Sequence, residues 1–121
     1  MTLVKVAREG AVAVVTLNRA EKRNALSLGL MRELMTALRA VGADAGARAV
    51  VLAAEGKVFS SGHDLSEMVG RRVVDYRELF DVCTELMALV QSIPQPVIAQ
   101  VQGLATRSEE HTSELQSLTN L

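Results

Sequence analysis

The spacing of apolar positions changes repeatedly along this chain, and each change marks an element. From Leu3 to Arg8 and again from Ala11 to Leu17, β-branched residues recur at every second position, the period of a strand with one covered face. Glu9-Gly10 separates the two runs, so they read as a hairpin with Val4, Val6, Val12 and Val14 facing inward. Leu28 to Val41 switches to helical spacing, with Leu30, Leu34, Leu38 and Val41 on one face and Arg32, Glu33 and Arg39 outside. Ser27 stands where a cap is needed and Gly42 where the helix can stop. Met31 and Met35 read as core filler. Ala47 to Ala54 is almost continuously apolar, as in a strand covered on both faces. Val73 to Ile93 predicts the longest helix. One stripe on it is Val73, Tyr76, Phe80, Cys83, Met87 and Val90; a second is Leu79, Val82, Leu86, Leu89 and Ile93. So wide an apolar face predicts burial deep between layers. Pro94 and Pro96 stop this helix, and Val97 to Val101 forms the next strand, closed by Gly103. Hairpin, helix, strand, turn, long helix and strand in this order make an α/β layer architecture.

Composition limits the function classes. The 121 residues allow one domain at most, and an apolar fraction of 49% is enough for a core. Thirteen basic and 14 acidic residues give a formal charge of −1, which argues against nucleic acid or an anionic membrane as the main partner. Only Arg19, Lys22 and Arg23 form a basic cluster. It reads either as a solvated loop or as a phosphate site, where arginine can bind two oxygens at once. Cys83 is the only cysteine, so no internal disulfide or thiolate metal cluster can form. Its place within an apolar stripe makes it a core thiol rather than a nucleophile. No apolar run reaches the roughly 18 residues of a membrane span, and Met1 to Val6 lacks signal or transit character. The expected location is cytoplasmic.

The remaining chemistry lies in Phe59-Ser60-Ser61-Gly62-His63-Asp64-Leu65, between the apolar run and a helical pattern beginning near Asp64. Two hydroxyl residues and a glycine let the backbone turn sharply. Asp64, with Glu67 three positions later, reads as a helix cap. A loop entering a helix in this way leaves amide N–H groups unpaired, and such groups can hold an oxygen that becomes negative during a reaction. Most such turns only change the direction of the chain, and the residues alone favour that reading.

The longer stretch Glu55-Gly56-Lys57-Val58-Phe59-Ser60-Ser61-Gly62-His63-Asp64-Leu65 resembles the central motif of the crotonase (enoyl-CoA hydratase/isomerase) superfamily. Leu17-Asn18-Arg19-Ala20-Glu21-Lys22-Arg23-Asn24-Ala25-Leu26 is similar to that family's CoA-binding loop. Ile93 to Gly103 is similar to the strand leading to its second oxyanion turn. The three stretches come in the family's order and cover residues 1 to about 106. The resemblance implies a truncated crotonase-like ββα spiral core, although no internal repeat is detectable in the sequence. It also implies that the His63 backbone N–H is the first oxyanion donor, with the imidazole incidental and facing solvent. Arg23, Ala25, Ser61, Gly62, His63, Asp64 and Leu65 would contact an acyl-CoA substrate. No separate cofactor is implied, coenzyme A being part of the substrate. Asp64 beside His63 reads as a cap and not as a metal ligand, since two residues do not make a ligand set. For the parent protein the resemblance implies a homotrimer or hexamer, and it leaves the state of this fragment open.

From Arg107 the character changes to a polar segment, Ser108 to Ser117, without sustained hydrophobic period. It is similar to the in-frame translation of a common sequencing adapter, so residues 1–106 are expected to be a partial crotonase-like domain and 107–121 a non-native tail. A genuine acidic capping helix is the other reading. Carried over by position, the second oxyanion amide would fall at Ser108 and the first catalytic carboxylate at His111. Glu109, Glu110 and Glu114 come from the suspect segment and are given no role. The expectation is therefore the N-terminal part of an enzyme that stabilises the enolate-like oxygen of an acyl-CoA thioester, as in 2-enoyl-CoA hydration, with this chain itself inactive. The alternative is a non-catalytic CoA-thioester-binding protein.

Overall fold

The computed structural model describes residues 2–64, 66, 70 and 72–102. Its elements run β1 (Val4–Glu9), β2 (Val12–Leu17), a 3₁₀ turn (Ala20–Lys22), α1 (Leu28–Gly42), β3 (Ala49–Ala54), α2 (Val73–Ser92) and β4 (Val97–Ala99). The strands form one sheet in the order β1-β2-β3-β4, with β1 antiparallel to β2 and the other neighbours parallel. The α/β architecture is thus as expected. Each helix carries the chain from one parallel strand to the next, a single place along the sheet. The steps β2-α1-β3 and β3-α2-β4 are the same manoeuvre made twice, a structural repeat that the sequence does not display.

Local chemistry explains the element ends. Ser27 Oγ accepts the Leu30 N–H at 3.1 Å, which satisfies one of the free donors of the first turn. At the other end, Gly42 does not stop α1 through a left-handed turn, because the cap residue Ala43 is still right-handed. Glycine stands there for space: a Cβ would lie 2.9 Å from Ile93 Cγ2. The buried Gln95 amide donates to the Val41 and Ala47 carbonyls at 3.0 and 3.1 Å, so the last turn of α1 is capped from a distant loop. Ile93, at the end of α2, is extended with ψ 150°, as a residue before proline must be.

One face of the sheet carries the core. Ala13, Val15 and Leu17 of β2 and Val50 and Leu52 of β3 are buried with Leu30, Met31, Leu34 and Leu38 of α1. Each large side chain here stabilises the fold by roughly 1.5–3 kcal/mol. The inward face of β2 is therefore one residue out of phase with the expectation. Val12 and Val14 are only half-buried, and Val6 on the edge strand β1 is 50% exposed. Alternation identifies two faces, but valine on both leaves the choice open. The strand β3 is likewise buried on alternate residues rather than on both faces.

The long helix departs most from expectation. Only Leu79 and Leu86 of α2 are fully buried, while Phe80 is 46% and Met87 43% exposed. Rather than lying deep between layers, α2 packs on α1, with Arg32–Glu78 and Arg39–Glu85 ion pairs across the seam. Helical periodicity tells which residues share a face, not whether anything covers it. Among the described residues no helix is long and apolar enough to cross a membrane. Gly103, the segment 107–121 with its positions Ser108 and His111, and Leu65 and Glu67 of the central stretch lie outside the described residues.

Candidate functional site

Because β2 and β3 are parallel neighbours, the loops that follow them leave the same end of the sheet, where ligand sites of α/β folds form. The first loop spans residues 18–27 and the second 55–64. They touch closely: Gly56 has φ 85°, and a Cβ on it would lie 2.9 Å from Ala20 Cβ. Asn24, fully buried and left-handed at φ 52°, ties them together. Its Nδ2 donates to the Glu55 and Val58 carbonyls, both at 2.9 Å, and its Oδ1 accepts the Arg19 N–H at 2.8 Å. Ser60 Oγ donates to the Asn24 carbonyl at 3.0 Å and accepts the Gly62 N–H at 3.2 Å. From the far side, Gln102 Nε2 donates to the carbonyls of Ala54 and Gly56.

The bend itself rests on Gly62, whose φ of 91° is a conformation that side chains rarely allow. Beyond it, Leu26 and His63 form an isolated parallel bridge. The Leu26 N–H donates to the Gly62 carbonyl at 2.7 Å and the Asp64 N–H to the Leu26 carbonyl at 3.2 Å. In a parallel bridge the middle residue turns its own N–H and C=O away from the partner. The His63 N–H is accordingly left out of the bridge, and among the described residues it has no hydrogen-bond acceptor. A fixed amide of this kind can stabilise a developing negative oxygen.

The His63 ring does not face solvent as expected. It packs on α2, edge-on to Phe80 at 6.0 Å between centroids, with Nε2 3.8 Å from Cys83 Sγ. Its Nδ1 is buried with no partner among the described residues. Burial pushes the Cys83 thiol above its ordinary pKa, which keeps it protonated and agrees with a core thiol. Among the described residues no group of three or more His, Cys, Asp or Glu could hold a metal.

The predicted contact residues take separate parts. Arg23 is exposed and left-handed at φ 53°, and its carbonyl accepts the Ser61 N–H at 3.0 Å. Ala25 is buried, and its carbonyl accepts from Arg19 Nη1 at 3.3 Å. Ser61 is exposed beside the bend. Asp64 turns both oxygens inward: Oδ2 accepts from Arg19 Nη1 at 2.9 Å, and Oδ1 from the hydroxyl and N–H of Ser66 at 2.6 and 3.1 Å. The Ser66 hydroxyl foremost, and then Arg19, hold the Asp64 carboxyl below its ordinary pKa against the opposite pull of burial. The sequence groups Arg19 with Lys22 and Arg23 as solvated or phosphate-binding cations, whereas the Arg19 side chain pairs with Asp64; Asn24 carries no expected role beyond its place in the quoted loop. Their partners lie 31 to 45 positions away, and no local pattern in the sequence signals such a tie.

Known proteins share this fold and much of this sequence. The profile of the family described as enoyl-CoA hydratase/isomerase matches residues 7–107. The chain is 42% identical over 100 residues to enoyl-CoA hydratase domain-containing protein 3, mitochondrial, of Xenopus laevis, covering 82% of this chain and 34% of that protein. It is 35% identical over 100 residues to the Delta(3,5)-Delta(2,4)-dienoyl-CoA isomerase, mitochondrial, of Mus musculus, covering 74% of this chain and 31% of that one. The crystal structure of enoyl-CoA hydratase from Bacillus anthracis superposes with a TM-score of 0.81 at 33% identity, over 85% of this chain and 41% of that one. The chain thus spans about a third of the length of the curated relatives it matches.

Proposed function

As this chain belongs to the enoyl-CoA hydratase/isomerase family, we propose that it carries the part of such an enzyme that binds an acyl-CoA thioester and stabilises its enolate-like oxygen. The observation that carries this is the His63 N–H, held by the Leu26 bridge yet not used in it. A thioester carbonyl reaching this amide would gain a donor when its oxygen turns negative, a contribution worth about 2.7–4 kcal/mol per donor in comparable sites. The exposed cations Lys22 and Arg23 would meet the phosphates of coenzyme A, and the Arg23–Leu26 backbone would lie along its arm. The parent reaction would be 2-enoyl-CoA hydration or a related double-bond shift.

Thioester binding without turnover is the second reading, and one observation favours it for this chain. Asp64, the carboxylate next to His63, has both oxygens engaged by Arg19 and Ser66, so it is not free to move a proton to or from a substrate. The test is titration of the 121-residue chain with butyryl-CoA and with free CoA, followed through the amide resonances. A shift of the His63 amide with butyryl-CoA and not with CoA supports the reading. Saturable binding of neither ligand, or binding that leaves His63 unmoved, overturns it. Hydration of crotonyl-CoA by the same chain would decide for the enzyme over the binder.

A further inference from the structure

Resting on the reading above and deepening it, we propose that Arg19 is a positioning residue for the His63 oxyanion donor: it keeps the Asp64 carboxylate paired, so that its charge does not oppose the charge developing at the neighbouring amide. The expectation for a basic loop is that its cations reach phosphates, and Lys22 and Arg23 remain exposed for that. Arg19 does not. Its side chain is 18% exposed and turned inward onto Asp64, itself 11% exposed, across 45 positions of sequence. One guanidinium nitrogen bonds the Asp64 carboxylate and also reaches the Ala25 carbonyl. The Arg19 backbone is fixed as well, its N–H to Asn24 Oδ1 and its carbonyl to the N–H groups of Asn24 and Lys22. These bonds commit Arg19 to the protein and away from a ligand in solvent.

The chemistry gives the pairing a purpose beyond structure. Asp64 follows His63 directly, so its carboxylate stands one residue from the N–H that would receive a negative oxygen. An uncompensated charge that close, in a partly desolvated place, raises the energy of any anion formed there. Ser66 supplies hydrogen bonds to Oδ1 but no charge. Arg19 supplies the opposite charge. A single nitrogen makes both bonds, so the pairing uses the charge of Arg19 and not its planar fork.

A double-mutant cycle in the 121-residue chain tests this, using Arg19→Met, Asp64→Asn and the pair together. Affinities are measured for free CoA and for acetoacetyl-CoA, a thioester whose enolate absorbs in the near ultraviolet. Arg19→Met is expected to weaken acetoacetyl-CoA about tenfold and dim its enolate band, with CoA unchanged within about twofold. Adding Asp64→Asn should restore the thioester affinity to within about threefold, because the unpaired charge is gone. Equal loss for CoA and thioester would make Arg19 a phosphate ligand, and an unrescued loss would leave it a merely structural residue; either result overturns the proposal. If the parent chain binds neither ligand, the thioester reading fails, and the His63 amide resonance decides the rest. Its displacement in Arg19→Met and return in the double variant would uphold the charge pairing, and an unmoved resonance would refute it. Should Arg19→Met not fold, Arg19→Lys takes its place: retained thioester preference supports the proposal, and a tenfold loss of it, about 1.4 kcal/mol, overturns it.

Discussion

The side-chain amide of Asn24 donates to the Val58 carbonyl at 2.9 Å, a bond between residues 34 positions apart. The same nitrogen serves the Glu55 carbonyl, and the amide oxygen takes the Arg19 N–H. Asparagine also tolerates the left-handed backbone that this position requires. Asn24→Ala would strand three polar groups and leave alanine in that conformation. Urea unfolding is expected to show a loss of about 2–4 kcal/mol. Asn24→Gly recovers only the backbone part and should remain at least about 1 kcal/mol less stable than the parent. A loss under that for both variants would deny Asn24 its tying role.

Neighbouring residues of α2 should respond very differently to substitution. Leu86 is 1% exposed, and Leu86→Ala is expected to cost about 2–5 kcal/mol. Met87 is 43% exposed, and Met87→Gln should change stability by no more than about 0.5 kcal/mol. Thermal unfolding of the two variants side by side is sufficient. Equal losses would mean that both faces of the helix are covered in solution.

At Gly42 two effects oppose each other. Alanine is the better helix former by about 1 kcal/mol. Its methyl group, however, would meet the branched carbon of Ile93, with Cγ2 at 2.9 Å and Cβ at 3.3 Å, and atoms so near the backbone cannot swing aside. Overpacking of this kind costs about 1–3 kcal/mol, so Gly42→Ala should destabilise on balance. Pairing it with Ile93→Ala should remove the clash. A stabilised single variant would contradict the packing seen here.

Acid stability should report on Asp64. Its carboxyl has a lowered pKa in the folded chain. A group of this kind contributes stability that is complete above its unfolded value, about 4, and is lost as pH falls through the folded value. Between about pH 4 and pH 2 the parent should therefore lose stability more steeply than Asp64→Asn, which binds no proton there. Denaturant midpoints across that range check it, and parallel curves would exclude a folded-state preference for the carboxylate.

What the sequence disclosed and what it withheld differ by range. Ser27 capping α1 and Ile93 ending α2 before Pro94 depend on adjacent residues, and both were legible. The family motif around Gly62 was legible too, and so was the order of strands and helices. The phase of β2 was not, because Val12, Val14 and Val15 offer apolar side chains to both faces. The half-open face of α2 was misjudged for a related reason, since a stripe carries no record of its neighbour. At the site, the resemblance names Arg23 and Ala25 as substrate contacts, and the structure puts both in the loop that follows β2. The parts played by Arg19 and Asn24 depend on contacts with Asp64, Glu55 and Val58, which appear only after the sheet sets two loops side by side.

The lacing of those loops has a consequence for how their lengths can change. One residue added between Asn18 and Asn24 would carry the Asn24 amide off the Glu55 and Val58 carbonyls and Arg19 off Asp64. One removed from 55–64 would do the same from the other side. Insertions and deletions in either segment must therefore be matched in the other, and anyone grafting this region onto a different scaffold has to transplant the two segments as a unit.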